Sequence, residues 1–529
     1  MDPTPAPGGA PLRRTLTTGK IVFLVVAAAA PMSGMVGSVP LAFALGNGAG
    51  VPAAFVLAGL TLLCFSVGYA AMSRRIVSTG GFYAYIAHGL GRPAAVGAGL
   101  VAVIAYNAAV VGVAGAFGYF AELVASSYGL RLPWTVWAAL GVALMGFMGY
   151  RRIDLSARLL AVLMIAEVAV LVLLAAAVVW RHGAAAFPAA AAEPGVVFAP
   201  GLGVALMFSL ISYVGFEAAA LYGEETPNPR RSVPLATYLS VVLITVFFAA
   251  VSWAAVGAVG VDRLTKVAGA RLGDLFFDLA KGYVGGWMTG AMQVLLCTSL
   301  FGAMLGLHNA ANRYLYVLGR ERVLPARLGA VHPRHGSPHL AGLVQTAVTA
   351  VVCAAFALAG LHPYVNLATS MLGLGTVGIV VLQGAVTVSV AAFFRRRPDR
   401  HWWRSAVAPL LALIGLSAAL VLLLGNFPIV TGTTSPLVNL LPWLLVPAAA
   451  AGAGQALWLR ARRPARYAAL ARNAETAGQV RPAVPEPATE PVPEPVAEPD
   501  TRPITGPITG PITGPVPEPV HESVHAVEA

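Results

Sequence analysis

Residues 30–43 read APMSGMVGSVPLAF and residues 207–225 read MFSLISYVGFEAAALYGEE, and each interrupts an apolar stretch long enough to cross ~30 Å of hydrocarbon as helix. In the first, Pro31, Gly34, Gly37 and Pro40 weaken the helix at membrane depth and free backbone groups from their internal bonds. Lipid cannot satisfy such groups, so the backbone around Ser33 to Gly37 is expected to face protein or a polar cavity. A tight helix contact through small residues is the alternative, and this span alone supports both readings. The second stretch places Ser209, Ser212 and Gly215 mid-segment, with the carboxyl group of Glu217 two residues beyond the glycine. Paired interruptions in spans one and six are the pattern of two inverted five-helix repeats with a substrate site near the bilayer midplane. Half-helix N-termini offer N–H groups to an anion and half-helix C-termini offer carbonyls to a cation. A zwitterion suits both ends.

Outward from these two stretches the chain is of one kind. Of its 529 residues 58% are hydrophobic and 11% charged, against about 25% charged in ordinary soluble domains, and the mean hydropathy is +0.76. Cutting at polar breaks gives apolar segments at 21–46, 51–73, 93–126, 134–150, 158–180, 200–222, 234–258, 286–318, 341–361, 364–394, 405–425 and 437–459. The expectation is an all-α, polytopic membrane protein of 12 transmembrane helices. Its parts are a tail at 1–20, a transmembrane domain at 21–460 and a disordered Pro/Glu-rich tail at 461–529 that contains PITGPITGPITGP. The first apolar stretch is too long for a cleaved signal segment and is read as a retained first helix.

The formal charge of +12 raises the question of nucleic acid. Only Lys20, Lys266 and Lys281 are lysines, and the arginines sit in short breaks between spans rather than on one face. Arg74, Arg75, Arg92, Arg151, Arg152, Arg158, Arg230, Arg231, Arg320, Arg322, Arg327, Arg334 and Arg395 to Arg397 fall on one side, and the opposite loops carry only Arg131, Arg181, Arg263, Lys266, Arg271 and Lys281. This asymmetry places both termini in the cytoplasm, with the lipid bilayer as partner and no nucleic acid. Cys64, Cys297 and Cys353 lie in apolar blocks and read as buried thiols.

The stretch SYVGFEAAALYGEETPNPRRSVPLAT at 212–237 resembles the sixth-helix signature of the amino acid, polyamine and organocation (APC) permeases. NAANRYLYVLGRERVLPARLGAVHPRHGSPHLA at 309–341 is similar to that superfamily's eighth helix and following loop, and STGGFYAYIAHGLGR at 78–92 to the segment after span two. The resemblance extends over roughly residues 20 to 460 and implies a LeuT-like 5+5 inverted repeat with discontinuous helices 1 and 6, working by alternating access. Carried over, it implies substrate contacts from Ser33, Gly34, Met35, Val36 and Gly37, whose backbone would hold a carboxylate, and from Ile211, Val214 and Gly215. Here the first-helix motif reads SGMVG where the superfamily often has GSG followed by Ile or Val and Phe. Some relatives place an aromatic gate at the Ile211 position, a part left here to Phe208, Tyr213 or Phe216. Asn107 matches an asparagine that contacts substrate in some relatives, with interhelical hydrogen bonding as the alternative.

Ionisable residues in hydrocarbon are costly and mark pathways or proton relays. Glu217 and Glu167 are therefore the proton-coupling candidates, each with a structural carboxylate as the alternative reading. Glu167 lies where some relatives have a lysine, and span five has none. Gln293, Thr298, Ser299 and Gln383 are weaker pocket candidates. No metal or cofactor is expected. Gly373, Gly375 and Gly378 form GxGxxG inside an apolar span without a preceding strand, His332, His335 and His339 sit in the superfamily's ordinary loop, and TTGK at 17–20 lacks the rest of a phosphate loop. No catalytic residues are expected.

The expected function is secondary active transport of an amino acid or amine across the cytoplasmic membrane, proton-coupled, with obligate exchange as the second mechanism. A membrane-embedded enzyme and a tail-signalling sensor are the rivals. Removing residues 464–529 separates the sensor from a transporter. Oligomeric state has no signature in the sequence.

Overall fold

Pro31 decides how the first span is built. A proline has no N–H to donate and disfavours the α conformation in the residue before it, so a helix entering from Thr18 is weakened at this point. In the computed structural model α1 spans Thr18–Ala28, Ala30 adopts a left-handed conformation (φ 45°), and α2 restarts at Pro31 and continues to Leu45. The structure describes residues 17–76, 81–151, 157–217, 226–395, 397, 401–471 and 514. The chain divides into a unit of Met1–Gln479, which contains every described helix, and another of Val480–Ala529. Arg13, Arg14, Arg152, Glu224, Glu225, Arg396 and all of the ITGP tract but Gly514 lie outside the described residues.

After the broken span come α3 (Val51–Ser73), the short α4 (Gly81–Leu90), the long α5 (Arg92–Ser127), α6 (Trp134–Arg151) and α7 (Ala157–His182). The second half opens with α8 (Leu202–Ile211), which also unwinds. It continues with α9 (Pro229–Val259), the short α10 (Leu264–Arg271) and α11 (Leu275–Tyr283), and the long α12 (Gly286–Arg320). A broken span, a span, one or two short helices and a helix of about ten turns thus occur twice in one order; α5 has 36 residues and α12 has 35. Four further helices complete the bundle: α13 (His339–Leu358), α14 (Thr369–Arg395), entered through a π turn at Pro363–Ala368, α15 (Ala408–Gly425) and α16 (Leu445–Arg462).

No strand occurs among the described residues. Eight of the described helices are long and apolar enough to cross a membrane. Of the other expected segments two are the broken spans, and the remaining two are α6 and α16, 18 residues each. Large apolar side chains such as Phe147, Ile165, Val246, Val351, Ile414 and Val421 face outward, as suits a lipid-facing surface. The chain is a multi-pass membrane protein.

Between helices in lipid there is little hydrophobic drive, and close packing through small residues takes its place. The glycines of the GxGxxG stretch serve this purpose. A methyl group at Gly375 would stand 3.1 Å from the Ala105 carbonyl oxygen, and one at Gly378 would stand 2.5 Å from the Ala105 Cβ. From the other side, Gly112 of α5 admits Leu372, where a Cβ would meet the leucine at 2.8 Å. α5 and α14 therefore touch backbone to backbone, which fixes α5 as part of the scaffold beside the broken spans.

Packed structure also continues past the boundary expected at 460. A short helix, α17 (Pro464–Ala469), succeeds α16, and Leu470 and Ala471 are buried. The Arg92 Nε donates to the Leu470 carbonyl (3.0 Å), and the guanidinium lies over the Tyr467 ring. Glu321, just past α12, accepts from the Ala471 amide (3.0 Å) and from the Tyr83 hydroxyl. Gln455 donates to the Val323 carbonyl at 2.9 Å. The test of the tail therefore belongs at residue 472. Removing 472–529 should leave the melting temperature of purified protein within about 1 °C, whereas removing 464–529 exposes the Leu470 site and should lower it by about 2 °C or more.

Candidate functional site

The break before Pro31 leaves a countable set of donors. Of the first-turn backbone groups of α2, Pro31 has none and the Gly34 amide bonds to the Ala30 carbonyl at 3.0 Å. Met32 and Ser33 remain. The Met32 amide donates to Glu167 Oε2 (3.1 Å) and the Ser33 amide to Ser299 Oγ (3.2 Å), while the Ser299 hydroxyl donates to the same Glu167 oxygen at 2.9 Å. Glu167 comes from α7 and Ser299 from α12, and the carboxylate is only 5% exposed. Met35, Val36 and Gly37 lie beyond the first turn, so their amides belong to the helical ladder, and the Met35 and Val36 side chains are fully buried. The irregular backbone expected at Ser33 to Gly37 is therefore at Ala29 and Ala30, and Met32 joins Ser33 as a free donor.

The second break lies closer to its expected place. After α8 ends at Ile211, the amides of Ser212, Tyr213 and Val214 bond three residues back, to Ser209, Leu210 and Ile211, at 3.1 Å each. Gly215 then takes φ 111°, a conformation that favours glycine, and its amide turns from the ladder to Glu217 Oε2 at 3.0 Å. The other carboxylate oxygen of Glu217 accepts from the Tyr106 hydroxyl at 2.9 Å, and the Tyr69 hydroxyl donates to the Glu217 carbonyl at 3.0 Å. Tyr106 stacks on Tyr314 with ring centroids 5.3 Å apart. The unwound segment is pinned from outside by Tyr213, whose hydroxyl reaches the Phe55 carbonyl and the Thr245 hydroxyl, both at 2.9 Å.

The two breaks meet at Gly34. A Cβ there would lie 3.3 Å from Ser212 Oγ and 2.7 Å from the ring of Phe248 on α9, closer than real Cβ contacts allow. Phe208 is buried and its carbonyl accepts the Ser212 hydroxyl at 2.8 Å; Ile211 closes α8 and Val214 lies in the unwound stretch. Asn107 differs from expectation. Its amide group donates to the Val103 carbonyl one turn back (2.7 Å), and its neighbour Tyr106 makes the contact to the sixth span. Sequence reasoning did not single out Phe248, Tyr69 or Tyr314. They are aromatic residues in apolar helices, and nothing in their local pattern sets them apart from core.

A profile of the amino acid permease family, described as "Amino acid permease", matches residues 17–449. The chain belongs to this family. It is a transporter, not an enzyme, and both breaks and both carboxylates fall inside the matched region. It is 25% identical over 419 residues to the branched-chain amino acid permease BcaP of Bacillus subtilis (strain 168), covering 75% of this chain and 84% of that protein. It is also 25% identical over 394 residues to the methylthioribose transporter of the same organism, covering 71% of this chain and 81% of that protein. Among solved structures, the crystal structure of MhsT in complex with L-phenylalanine aligns with 78% of this chain and 100% of its own, with a TM-score of 0.48 and 18% identity.

Two substitutions test the assembled geometry. Gly34→Ala places a methyl group against Phe248, an overpacking that costs about 1–3 kcal/mol, and should reduce uptake by reconstituted permease, with partial recovery when Phe248→Leu is added. Tyr106→Phe removes the hydroxyl that Glu217 accepts from, a bond to a charged group worth about 1.5–3 kcal/mol. It should lower uptake about tenfold or more, while Asn107→Ala, whose amide is spent on its own helix, should change uptake much less.

Proposed function

We propose that this permease carries out secondary active uptake of neutral amino acids, driven by protons, by alternating access. The observation that carries the reading is the meeting of the two breaks at Gly34 and Ser212, with a carboxylate bonded to the free amides of each. Main-chain donors at the start of α2 suit a substrate carboxylate, and carbonyls near the ends of α1 and α8 suit an ammonium group. Phe248, Phe208, Ile211 and Val214 surround this point with apolar surface, which favours uncharged side chains. The likeness to a branched-chain amino acid permease supports the same class.

The repeated order of broken span, span, short helices and long helix supports twelve transmembrane helices built around a LeuT-like 5+5 inverted repeat. The arginine-rich breaks support cytoplasmic termini in the plasma membrane. In that orientation a cavity of about 590 Å³, lined by Tyr119, Glu122, Trp134 and His362, opens at the end of α5 remote from Arg92, on the extracellular side. Among the described residues, Glu167 and Glu217 are the buried carboxyls that can carry the coupling proton. Liposomes containing the permease should accumulate labelled leucine or isoleucine when the inside is made alkaline, and lose the gradient-driven component when a protonophore is added. Uptake that requires preloaded amino acid and ignores the pH gradient would replace proton coupling by exchange.

A further inference from the structure

Glu167 sits where a ligand's carboxylate would go. The α2 half-helix has two amides left over after its own ladder and its proline are counted, and both end, directly or through Ser299, on this one carboxyl group from α7. The helices packed against α7 bring no charge to it. Lys20 of α1, Arg230, Arg231 and Tyr238 of α9, Asp278, Lys281 and Tyr283 of α11, and Cys297, His308, Arg313, Tyr314, Tyr316 and Arg320 of α12 are the titratable groups on those helices. None of them acts on Glu167, whose surroundings are its burial and these two neutral donors; α2 carries no titratable side chain.

A positive helix end in a low-dielectric setting favours one negative group and disfavours two carboxylates side by side. From this arrangement we infer that Glu167 is a tethered competitor for the carboxylate of the substrate, holding the half-helix while ionised and giving it up when protonated. The inference rests on the amino acid transport reading and assigns the coupling proton within it. The balance is simple. One proton from the solution facing the site forms an O–H bond on Glu167, and the Met32 and Ser33 amides and the Ser299 hydroxyl become available to the substrate carboxylate. The half-helix end then carries one negative group before and after the exchange. On the far side the substrate leaves, Glu167 releases its proton there and its carboxylate returns to the amides, so one proton crosses with one substrate. Glu167 acts as a positioning residue that decides when the donors are open.

The test uses the full-length purified permease and a zwitterionic amino acid, leucine. Binding is measured by calorimetry between about pH 5 and 8 in buffers of different ionisation enthalpy, which counts protons. For wild type the affinity should fall by about tenfold for each unit of rising pH above the Glu167 titration, with one proton taken up per leucine bound. Glu167→Gln should bind leucine with a flat pH profile and no proton uptake, and Glu167→Asp, whose shorter side chain retracts from Met32, should bind more tightly than wild type at the alkaline end. Melting temperatures establish that both variants are folded, and either variant alone suffices if the other is not. A Gln variant that keeps the wild-type slope and proton uptake, or an Asp variant that binds no more tightly than wild type at the alkaline end, overturns the inference and leaves the transport reading standing. If wild type and both variants bind neither leucine nor any other amino acid at any pH, the transport reading fails and takes the inference with it.

Discussion

A peptide group inside hydrocarbon has to be bonded to something, and the site arises from that constraint. Two helices of this permease stop partway through the membrane. At each stop the chain accounts for the amides it has released. At α2 the acceptors are a carboxyl group and a hydroxyl from α7 and α12, whereas at the sixth span the acceptor is Glu217, two residues beyond the glycine that bends the chain. The bonds at α2 tie it to α7 and α12, and the hydroxyls of Tyr106 and Tyr69 tie α5 and α3 to Glu217, where the helices otherwise meet mostly through apolar and small side chains. A polar centre in a protein with 11% charged residues is thus a result of backbone bookkeeping rather than of abundant charge.

The contrast between the two breaks shows what a sequence can say about such a site. Gly215 and Glu217 are close neighbours, so the motif held both the bend and the group that satisfies it. At the first break the proline was visible, but its effect falls on the residue before it, Ala30, while at Gly37 a Cβ would meet its neighbours at ordinary contact distance. Gly34 keeps its importance for another reason, the approach of the Phe248 ring from a span more than two hundred residues away. Tyr106 and Asn107 are a similar case. Both lie at the expected depth, and a hydroxyl at the end of a ring reaches the sixth span where a short amide folds back on its own helix. Contacts that depend on side-chain reach between distant spans leave no local trace in the chain.

The scaffold was legible to a greater extent because its signals are local. Long apolar runs, arginines in the breaks and proline-glycine punctuation mark the spans without reference to tertiary contacts. The GxGxxG stretch is instructive, since glycines with the spacing of a nucleotide-binding turn here serve helix packing, Gly375 and Gly378 against α5 and Gly373 against Phe427 and Met207. Only the helical context distinguishes the two uses. The contacts of Leu470 and Ala471 were less legible, because these residues gain their partners from α5 and from the residues just past α12 rather than from nearby sequence.

Having a pyrrolidine at its first position gives α2 a fixed valence. A half-helix beginning with an ordinary residue would present one more main-chain donor, enough to help cradle a tetrahedral oxyanion. This one presents two, and they end on Glu167 Oε2 and on the Ser299 hydroxyl. Pro31 thus sets how many main-chain hydrogens the neighbouring helices have to satisfy.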